Sequence, residues 1–115
     1  MRYLFLLVTI LSVTSTSART VKKVVDVNGN CRVCKTLIEG TVRGIDGVIS
    51  TDWNIKARKL AVIYNDEKTT IRDIEEKIAA GGFDTQHVKA SNKDYYSLPE
   101  SCRYRSHGKK DHTNK

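Results

Sequence analysis

The chain has 115 residues, 20 Lys and Arg against 13 Asp and Glu, a formal net charge of +7 and three cysteines. This length allows one domain with a modest core, and an odd, small cysteine count argues against a disulfide framework. Much of the positive excess lies in residues 103–115, which indicates a solvated basic tail rather than a nucleic-acid interface.

Residues 1–18 begin with one early cation, Arg2, continue with an apolar run, and end in small polar residues at Ala18. This order is typical of a secretory signal peptide. The apolar run is about half of the roughly 20 residues that cross a bilayer. We therefore expect cleavage after Ala18, no stable membrane insertion, and a periplasmic or secreted protein.

The next segment changes from a strand pattern to a helix pattern. Alternating valines over Thr20–Val27 predict a first strand. Apolar residues then recur every three or four positions and predict a first helix with one buried stripe; its members are Cys34, Leu37, Ile38, Val42 and Ile45. Gly44 and Gly47 end this helix. Cys31 therefore lies at the helix start and Cys34 in its first turn.

Two further strands follow as a hairpin. The run from Val48 to Ile55 alternates and contains Trp53, which we interpret as a core or sheet-face residue. A polar connection at Lys56–Lys59 leads to a third strand with Leu60, Val62 and Tyr64 on one face.

A second helix is predicted from its cap and its stripe. Thr70 with Asp73 three positions later resembles a capping box, and the glycines 81–82 end the helix. The buried stripe comprises Ile71, Ile74, Ile78 and Ala79. Phe83–Val88 is predicted as a fourth strand.

The element order strand, helix, strand, strand, helix, strand predicts an α+β fold of the ferredoxin-like type, a four-stranded antiparallel sheet with two helices on one face. This arrangement brings Phe83 near Cys31 and Cys34. We assign residues 19–88 to this domain, 89–104 to a C-terminal extension and 105–115 to a disordered basic tail. The extension contains a short helix ended by Pro99, with Tyr96 and Leu98 docking on the domain, and then Cys102.

Several motifs in this order resemble the heavy-metal-associated domain over about Val21 to Val88. They are Cys31-x-x-Cys34 opening a helix, Gly47-Val48, Ile74-x-x-x-Ile78 and Gly82-Phe83-Asp84. The Trp53 strand and the ending Tyr96-Ser97-Leu98-Pro99-x-x-Cys102-x-Tyr104 are similar to a group of exported, single-domain members from Bacteroidetes. The resemblance, which extends to copper chaperones and the periplasmic mercury-binding protein, implies binding and delivery of a soft cation.

The chain departs from the family pattern at two positions. The family motif has methionine two positions before the first cysteine, packed inward beneath the loop, where this chain has Gly29. The exported group tends to have paired cysteines near the tail, where this chain has Ser101-Cys102 and therefore one thiol.

Two thiolates from one turn suit a soft ion that accepts two or three sulfur ligands, whereas zinc usually takes four ligands. We therefore predict one ion per chain, Cu(I) first and Hg(II) second, ahead of Zn(II) or Cd(II). The helix N-terminus favours the thiolate. The residues expected around the ligands are Gly29, Asn30, Arg32, Lys35 and Phe83, with Arg32 and Lys35 lowering the thiol pKa and Phe83, from its place in the family motif, covering the loop.

The role of Cys102 stays open between a third ligand, a partner for intermolecular disulfides and an inert thiol. The three histidines, His87, His107 and His112, show no ligand spacing with the cysteines, and we interpret them as surface residues. Of these, His107 and His112 are weak copper candidates. We expect a monomer, with a metal-bridged dimer as the alternative, that exchanges its ion with a metal transporter or another metal-binding domain.

The sequence suggests three other functions. A thiol–disulfide redox protein would use the same Cys31–Cys34 pair, but no proline opposes the pair and the strand order is not that of a thioredoxin. An RNA-binding module is disfavoured by the export signal and by the lack of paired stacking aromatics on the third strand. An interaction domain with unused cysteines is the third. No nucleophile, base and orienting group occur together, so we expect no catalysis.

Overall fold

The computed structural model describes residues 19–105. The predicted signal peptide and residues 106–115 of the tail, with His107 and His112, lie outside the described residues. No helix between Arg19 and Arg105 has the length and apolar character needed to cross a bilayer. The elements in chain order are β1 (Thr20–Asp26), α1 (Arg32–Arg43), β2 (Val48–Asn54), β3 (Lys59–Asn65), α2 (Ile71–Ala80), α3 (Asn92–Tyr96) and a 3₁₀ turn at Glu100–Cys102.

The described part of the chain forms an antiparallel sheet of three strands in the order β1-β3-β2. Central β3 alternates as predicted, with Leu60, Val62 and Tyr64 buried. Trp53 of β2 has no exposed surface. A bulge between Val48 and Ser50 interrupts the β2 register. The sheet therefore presents one apolar face to the helices.

The two main helices cover that face with the predicted stripes, except that Leu37, predicted in the buried stripe of α1, is 37% exposed. Ile38 and Val42 of α1 and Ile74 and Ile78 of α2 have no exposed surface. The Thr70 side chain accepts a hydrogen bond from the backbone N–H of Asp73, 3.1 Å away, which satisfies one of the free amides at the start of α2. The antiparallel sheet with two helices on one face confirms the α+β, ferredoxin-like architecture.

The predicted fourth strand, Phe83–Val88, is wrong as a strand. Only an isolated bridge joins Val27 to Thr85, supported by the Asn28 N–H bond to the Asp84 carbonyl at 2.8 Å. The Thr85 N–H turns inward to the Val88 carbonyl instead, at 2.7 Å. The segment therefore has no free row of amides with which to pair along β1.

A buried carboxylate explains this local turn. Glu75 of α2 has no exposed surface, and it accepts hydrogen bonds from the Thr85 hydroxyl at 2.7 Å and the His87 backbone N–H at 2.8 Å. Its other oxygen lies 2.9 Å from His87 Nδ1. This buried charge takes the His87 backbone N–H, and the Val88 carbonyl takes the Thr85 N–H, so these two backbone donors do not pair with β1. His87 itself is exposed, as predicted.

The C-terminal extension packs on the domain as an ordered segment. Ser91 caps α3 by accepting the Asp94 N–H at 3.1 Å. Tyr95 and Leu98 are buried, but Tyr96 is 58% exposed, so the predicted docking is right for Leu98 and wrong for Tyr96. Tyr95 takes the inward position because its hydroxyl accepts the backbone N–H of Arg105 at 2.8 Å.

A glycine permits this close docking. Gly82 has φ of +105°, and a Cβ placed there would lie 2.7 Å from Leu98 Cγ and 2.8 Å from the Asp94 carbonyl oxygen. Only a residue without a side chain combines the left-handed backbone with this approach. The extension therefore rests directly on the turn that ends α2.

The end of the extension is fastened to the same turn. Arg105 forms a two-pronged ion pair with Asp84, with Nη2 to Oδ1 at 2.6 Å and Nε to Oδ2 at 3.2 Å, although the sequence analysis assigned Arg105 to the tail. The Tyr104 hydroxyl accepts the Asp84 N–H at 2.7 Å and donates to the Gly82 carbonyl at 3.1 Å. We call Asp84, Tyr104 and Arg105 the clasp.

Candidate metal centre

The first two cysteines lie where the sequence predicts. Cys31 occupies the N-cap position of α1 in an extended conformation (φ −158°), and Cys34 lies in the first turn with no exposed surface. Because the first amides of a helix have no partner within it, sulfur atoms at these positions face a cluster of N–H donors.

All three thiols converge on one point. Their Sγ atoms lie within 4.8 Å of one another, with 3.3 Å between Cys31 and Cys34 and 3.8 Å between Cys31 and Cys102. The three cysteines are free thiols, since a disulfide would require about 2.05 Å. Cys31 is half-buried, while Cys34 and Cys102 have no exposed surface. We call these residues the three-thiol cluster.

Cys102 reaches the cluster from a separate part of the chain. Its backbone N–H bonds to the Pro99 carbonyl at 2.8 Å within the 3₁₀ turn, and the turn packs against α1. The neighbouring Ser101 carbonyl lies 3.7 Å from Cys31 Sγ. Of the three alternatives for Cys102, this placement favours a third ligand.

The bulky residue beneath the loop is a tryptophan. A Cβ placed on Gly29 would lie 2.9 Å and 3.0 Å from two indole carbons of Trp53, and 3.1 Å from Cys34 Cβ. The indole N–H donates to the Val27 carbonyl at 3.0 Å. Trp53 therefore fills the space under the loop, and Gly29 must be small to admit it.

Asn30 holds the Cys34 sulfur from two sides. Its backbone N–H donates to Cys34 Sγ at 3.4 Å, and its side-chain oxygen accepts from the same thiol at 3.2 Å. The backbone N–H of Asn30 can also donate to a Cys34 thiolate, whereas its side-chain oxygen accepts only from the protonated thiol. Asn30 thus positions this sulfur, in agreement with its predicted place beside the ligands.

The thiols have different affinities for protons. Burial raises the pKa of Cys31, but the N–H groups of Cys34 and Val33 and the neighbouring thiols outweigh it, so this pKa lies below its usual value. Burial dominates at the other two sulfurs and raises the pKa of both Cys34 and Cys102. Cys31 is therefore the first thiol to ionise and also the most accessible.

Lys35 has other partners, and its predicted effect on the thiols stays a prediction. Its ammonium group donates to Glu39 Oε2 at 2.9 Å, Asp52 Oδ1 at 3.1 Å and the Trp53 carbonyl at 2.7 Å. One of these acceptors, Glu39, lies one turn further along α1, and the other two lie on β2. Arg32 is exposed at the first helical position. The N–H groups of Cys34 and Val33 in the first turn favour the Cys31 thiolate.

Phe83 is buried in the same core as Cys34 and Cys102 and is 1% exposed. Its ring stacks on Tyr104 with centroids 6.3 Å apart. It therefore supports the extension, and its predicted role as a cover of the loop stays a prediction.

The sequence analysis missed the residues that hold Cys102 in place. The aromatic pair Tyr95 and Tyr104, with centroids 5.1 Å apart, and the clasp carry the extension. One signal was available: Tyr104 and Arg105 come shortly after Pro99 and Cys102, in a segment interpreted partly as tail. The sequence alone does not show that their acceptors lie at residues 82–84.

The sequence model of the heavy-metal-associated domain matches residues 24–84, which is more than half of the chain. The chain belongs to this family. The matched span contains Cys31 and Cys34 but ends before Cys102, so the third thiol comes from outside the family domain.

Individual relatives agree with this assignment. The copper chaperone CopZ of Staphylococcus aureus (strain JH9) is 31% identical over 64 residues, covering 55% of this chain and 94% of its own. The N-terminal domain of a potential copper-translocating P-type ATPase from Bacillus subtilis, solved in the Cu(I)-loaded state, is 26% identical with a TM-score of 0.56, covering 58% and 85%. Oxidised MerP from Ralstonia metallidurans CH34, at 22% identity and TM-score 0.55, covers 57% and 93% and supports the fold.

Proposed function

We propose that this protein binds one soft metal ion, Cu(I) first and Hg(II) second, through Cys31, Cys34 and Cys102, and carries or sequesters it by ligand exchange. The observation that supports this proposal is the convergence of three free sulfur atoms within 4.8 Å. Thiolate ligands select soft ions such as Cu(I), and two of the relatives are described as copper proteins.

The sulfur spacing favours three ligands over two. With metal–sulfur bonds of about 2.3 Å, two opposed sulfurs lie about 4.6 Å apart, and three sulfurs around one ion lie about 3.3–4.0 Å apart. The separations of 3.3 and 3.8 Å around Cys31 fall in or near the range of the second arrangement, and the remaining pair, Cys34 and Cys102, lies within 4.8 Å. Cys102 therefore belongs to the proposed ligand set.

Exchange would begin at Cys31, the accessible sulfur. An incoming thiolate from a partner protein can join the ion there while the buried Cys34 still holds it, and the ion then passes across. A metal transporter or another metal-binding domain is the proposed partner, in line with the ATPase domain among the relatives. Residues 1–18 support a site of action in the periplasm or outside the cell, and we propose a monomeric carrier without catalytic activity.

An anaerobic Cu(I) titration of the reduced protein against a chromogenic chelator tests the proposal. We expect one tightly bound ion per chain and, by X-ray absorption, three sulfur neighbours. The C31S/C34S double variant should lose the ion, while Ser101→Ala, beside the cluster but without a thiol, should keep it. Unchanged affinity in C31S/C34S would refute the assignment.

A thiol–disulfide redox protein is the second candidate, because Cys31 has a lowered pKa and lies 3.3 Å from Cys34 Sγ. A low pKa at an accessible thiol is typical of reactive cysteines. Turnover of insulin disulfides by a protein with no measurable Cu(I) affinity would favour this candidate over metal carriage.

A further inference from the structure

The charge of a filled site depends on the valence of its ion. Three thiolates carry three negative charges, so Cu(I) would leave two of them uncompensated and Hg(II) one. Cys34 and Cys102 have no exposed surface, and uncompensated charge at a buried position is costly. A trivalent ion leaves the site neutral.

In the described part of the chain, the cations around the cluster offset little of this charge. Arg32 is exposed to solvent, and Arg103 donates to the Leu98 and Tyr96 carbonyls. The Lys35 ammonium is occupied by Glu39, Asp52 and the Trp53 carbonyl. The Arg105 guanidinium is occupied by Asp84 and by the Ala90 carbonyl, at 2.8 Å. The amides at the start of α1 offset a fraction of one charge. The surroundings of the three-thiol cluster therefore suit a neutral complex.

The shape of the cluster agrees with the charge. Two of the three sulfur separations, 3.3 and 3.8 Å around Cys31, are those expected for bonds of about 2.3 Å that lie on one side of a central atom, and the third lies within 4.8 Å. Trivalent arsenic and antimony form three such bonds and direct a lone pair to the fourth side. The half-buried Cys31 leaves one side of the cluster open to solvent, where the lone pair and the entering species can be accommodated.

We infer that the three-thiol cluster also binds trivalent metalloids, As(III) and Sb(III), as neutral tris-thiolate complexes. The inference rests on the proposed assignment of the three cysteines as one ligand set. In neutral solution arsenite is As(OH)₃, and three thiols displace its three hydroxyl groups. Each As–O bond is replaced by an As–S bond, each thiol proton leaves with a hydroxide as water, and no electron is transferred.

Two arsenic probes separate three-thiol binding from two-thiol binding. Sodium arsenite offers three exchangeable positions, whereas phenylarsine oxide keeps one carbon bond and offers two. For the unmodified protein we expect one arsenite per chain, a mass increase of one arsenic less three hydrogens, and loss of all three thiols to a thiol-titrating reagent. Phenylarsine oxide should leave one thiol titratable.

The variants Cys102→Ser and Cys102→Ala test the third position. Both should bind arsenite about 100-fold more weakly, a difference of about 2.7 kcal/mol, while keeping phenylarsine oxide and therefore an intact Cys31–Cys34 pair. Ser101→Ala should bind both probes like the unmodified protein. Equal arsenite affinity with and without Cys102 would overturn the three-thiol complex.

Cu(I) binding, measured in parallel, distinguishes failure of this inference from failure of the proposed function. A protein that binds Cu(I) through the cysteines but not arsenite refutes the metalloid inference and leaves the proposed function standing. A protein that binds neither ion through the cysteines refutes both.

Discussion

The loop that carries Cys31 and Cys34 and the segment that carries Cys102 reach the same point by different means. The loop is positioned by the fold itself. It follows β1, leads into α1 and packs on the buried Trp53. The segment is attached by the packing of Tyr95 and Leu98 and by the polar contacts of the clasp. Two cysteines are therefore held by the domain itself, and the third is held only as firmly as the extension is docked.

This difference shows how a third thiol can be brought to a two-cysteine loop without changing the domain. The family match ends at residue 84, and Asp84 is also the residue that Arg105 and Tyr104 contact. The added segment thus uses the last residue of the family domain as its attachment point. Loosening the attachment should alter the third ligand and leave the first two in place.

The largest expected effect separates the two kinds of ligand. We expect C31S/C34S to weaken Cu(I) binding by about 1,000-fold or more, whereas Cys102→Ser should cost about 10- to 100-fold. The reason is that Cys102→Ser retains both sulfurs of the loop, whereas C31S/C34S retains neither. Chelator competition measures both. A loss at Cys102→Ser as large as that of the double variant would remove the distinction between the two regions.

The next effect concerns the clasp. Arg105→Gln should leave the 10% exposed Asp84 side chain without its charge partner, at a cost of about 2 kcal/mol. The extension should then open about 30-fold more often, and Cys102 in the metal-free protein should be alkylated faster by the same factor, as read by mass spectrometry.

Arg72→Gln is the matched control for this experiment. Arg72 forms an exposed pair with Glu76, at 63% and 54% side-chain exposure, and such a pair contributes about 0.3–0.5 kcal/mol. Equal alkylation of Cys102 in both variants would show that the clasp does not hold the extension.

A further prediction concerns the packing beneath the loop. Gly29→Ala places a methyl group 2.9 Å from the Trp53 ring, and such overpacking costs about 1–3 kcal/mol. Trp53→Phe in the same chain frees that space and should recover part of the loss. Denaturant unfolding of the two single variants and the double variant gives the coupling. Additive losses would show that the ring and the glycine do not share this space.

The smallest expected effect is an acid-dependent loss at the junction between the two regions. Burial raises the pKa of Glu75 and Asp84, but His87 and Thr85 around Glu75, and Arg105 and Ala90 around Asp84, bring each pKa below its usual value. A lowered folded pKa means that the stabilisation is complete above the usual values of 4.5 and 3.8 and is lost as the pH falls through the lower folded values.

Unfolding curves from pH 7 to pH 2 measure this loss, and Glu75→Gln provides the comparison. The variant should be less stable at neutral pH and should lose less stability in acid, because its side chain has no charge to neutralise. An identical acid limb in both proteins would exclude Glu75 from the pH dependence.

The sequence predicted well what periodic burial determines. The two helix stripes, the β3 alternation, the Thr70 cap and the place of Cys31 and Cys34 at the start of α1 all follow from local spacing. The fourth strand failed because Glu75, a polar residue on a helix, takes the His87 N–H, while the Thr85 N–H bonds to the Val88 carbonyl. Polar contacts between distant segments leave no period in a sequence.

The same reason explains the candidate site. The Cys-x-x-Cys motif identified two sulfurs, and the departure at Gly29 was visible, but its compensation by Trp53 depends on where β2 places that ring. The approach of Cys102 depends on Asp84 and Tyr104, 20 residues apart. Lys35 was assigned to the thiols by its nearness in sequence, whereas in the structure it bonds to Glu39 of α1 and to Asp52 and Trp53 of β2.

Trp53 is the sole tryptophan of the chain, and its ring lies directly under the loop that carries the first two sulfurs. Its near-ultraviolet emission therefore comes from one known position, without a label and without competition from a second indole. A heavy ion held above it should quench that emission. Trp53 fluorescence should therefore report whether an ion is bound at the cysteines. Stopped-flow fluorescence can then measure the rates of ion binding and release.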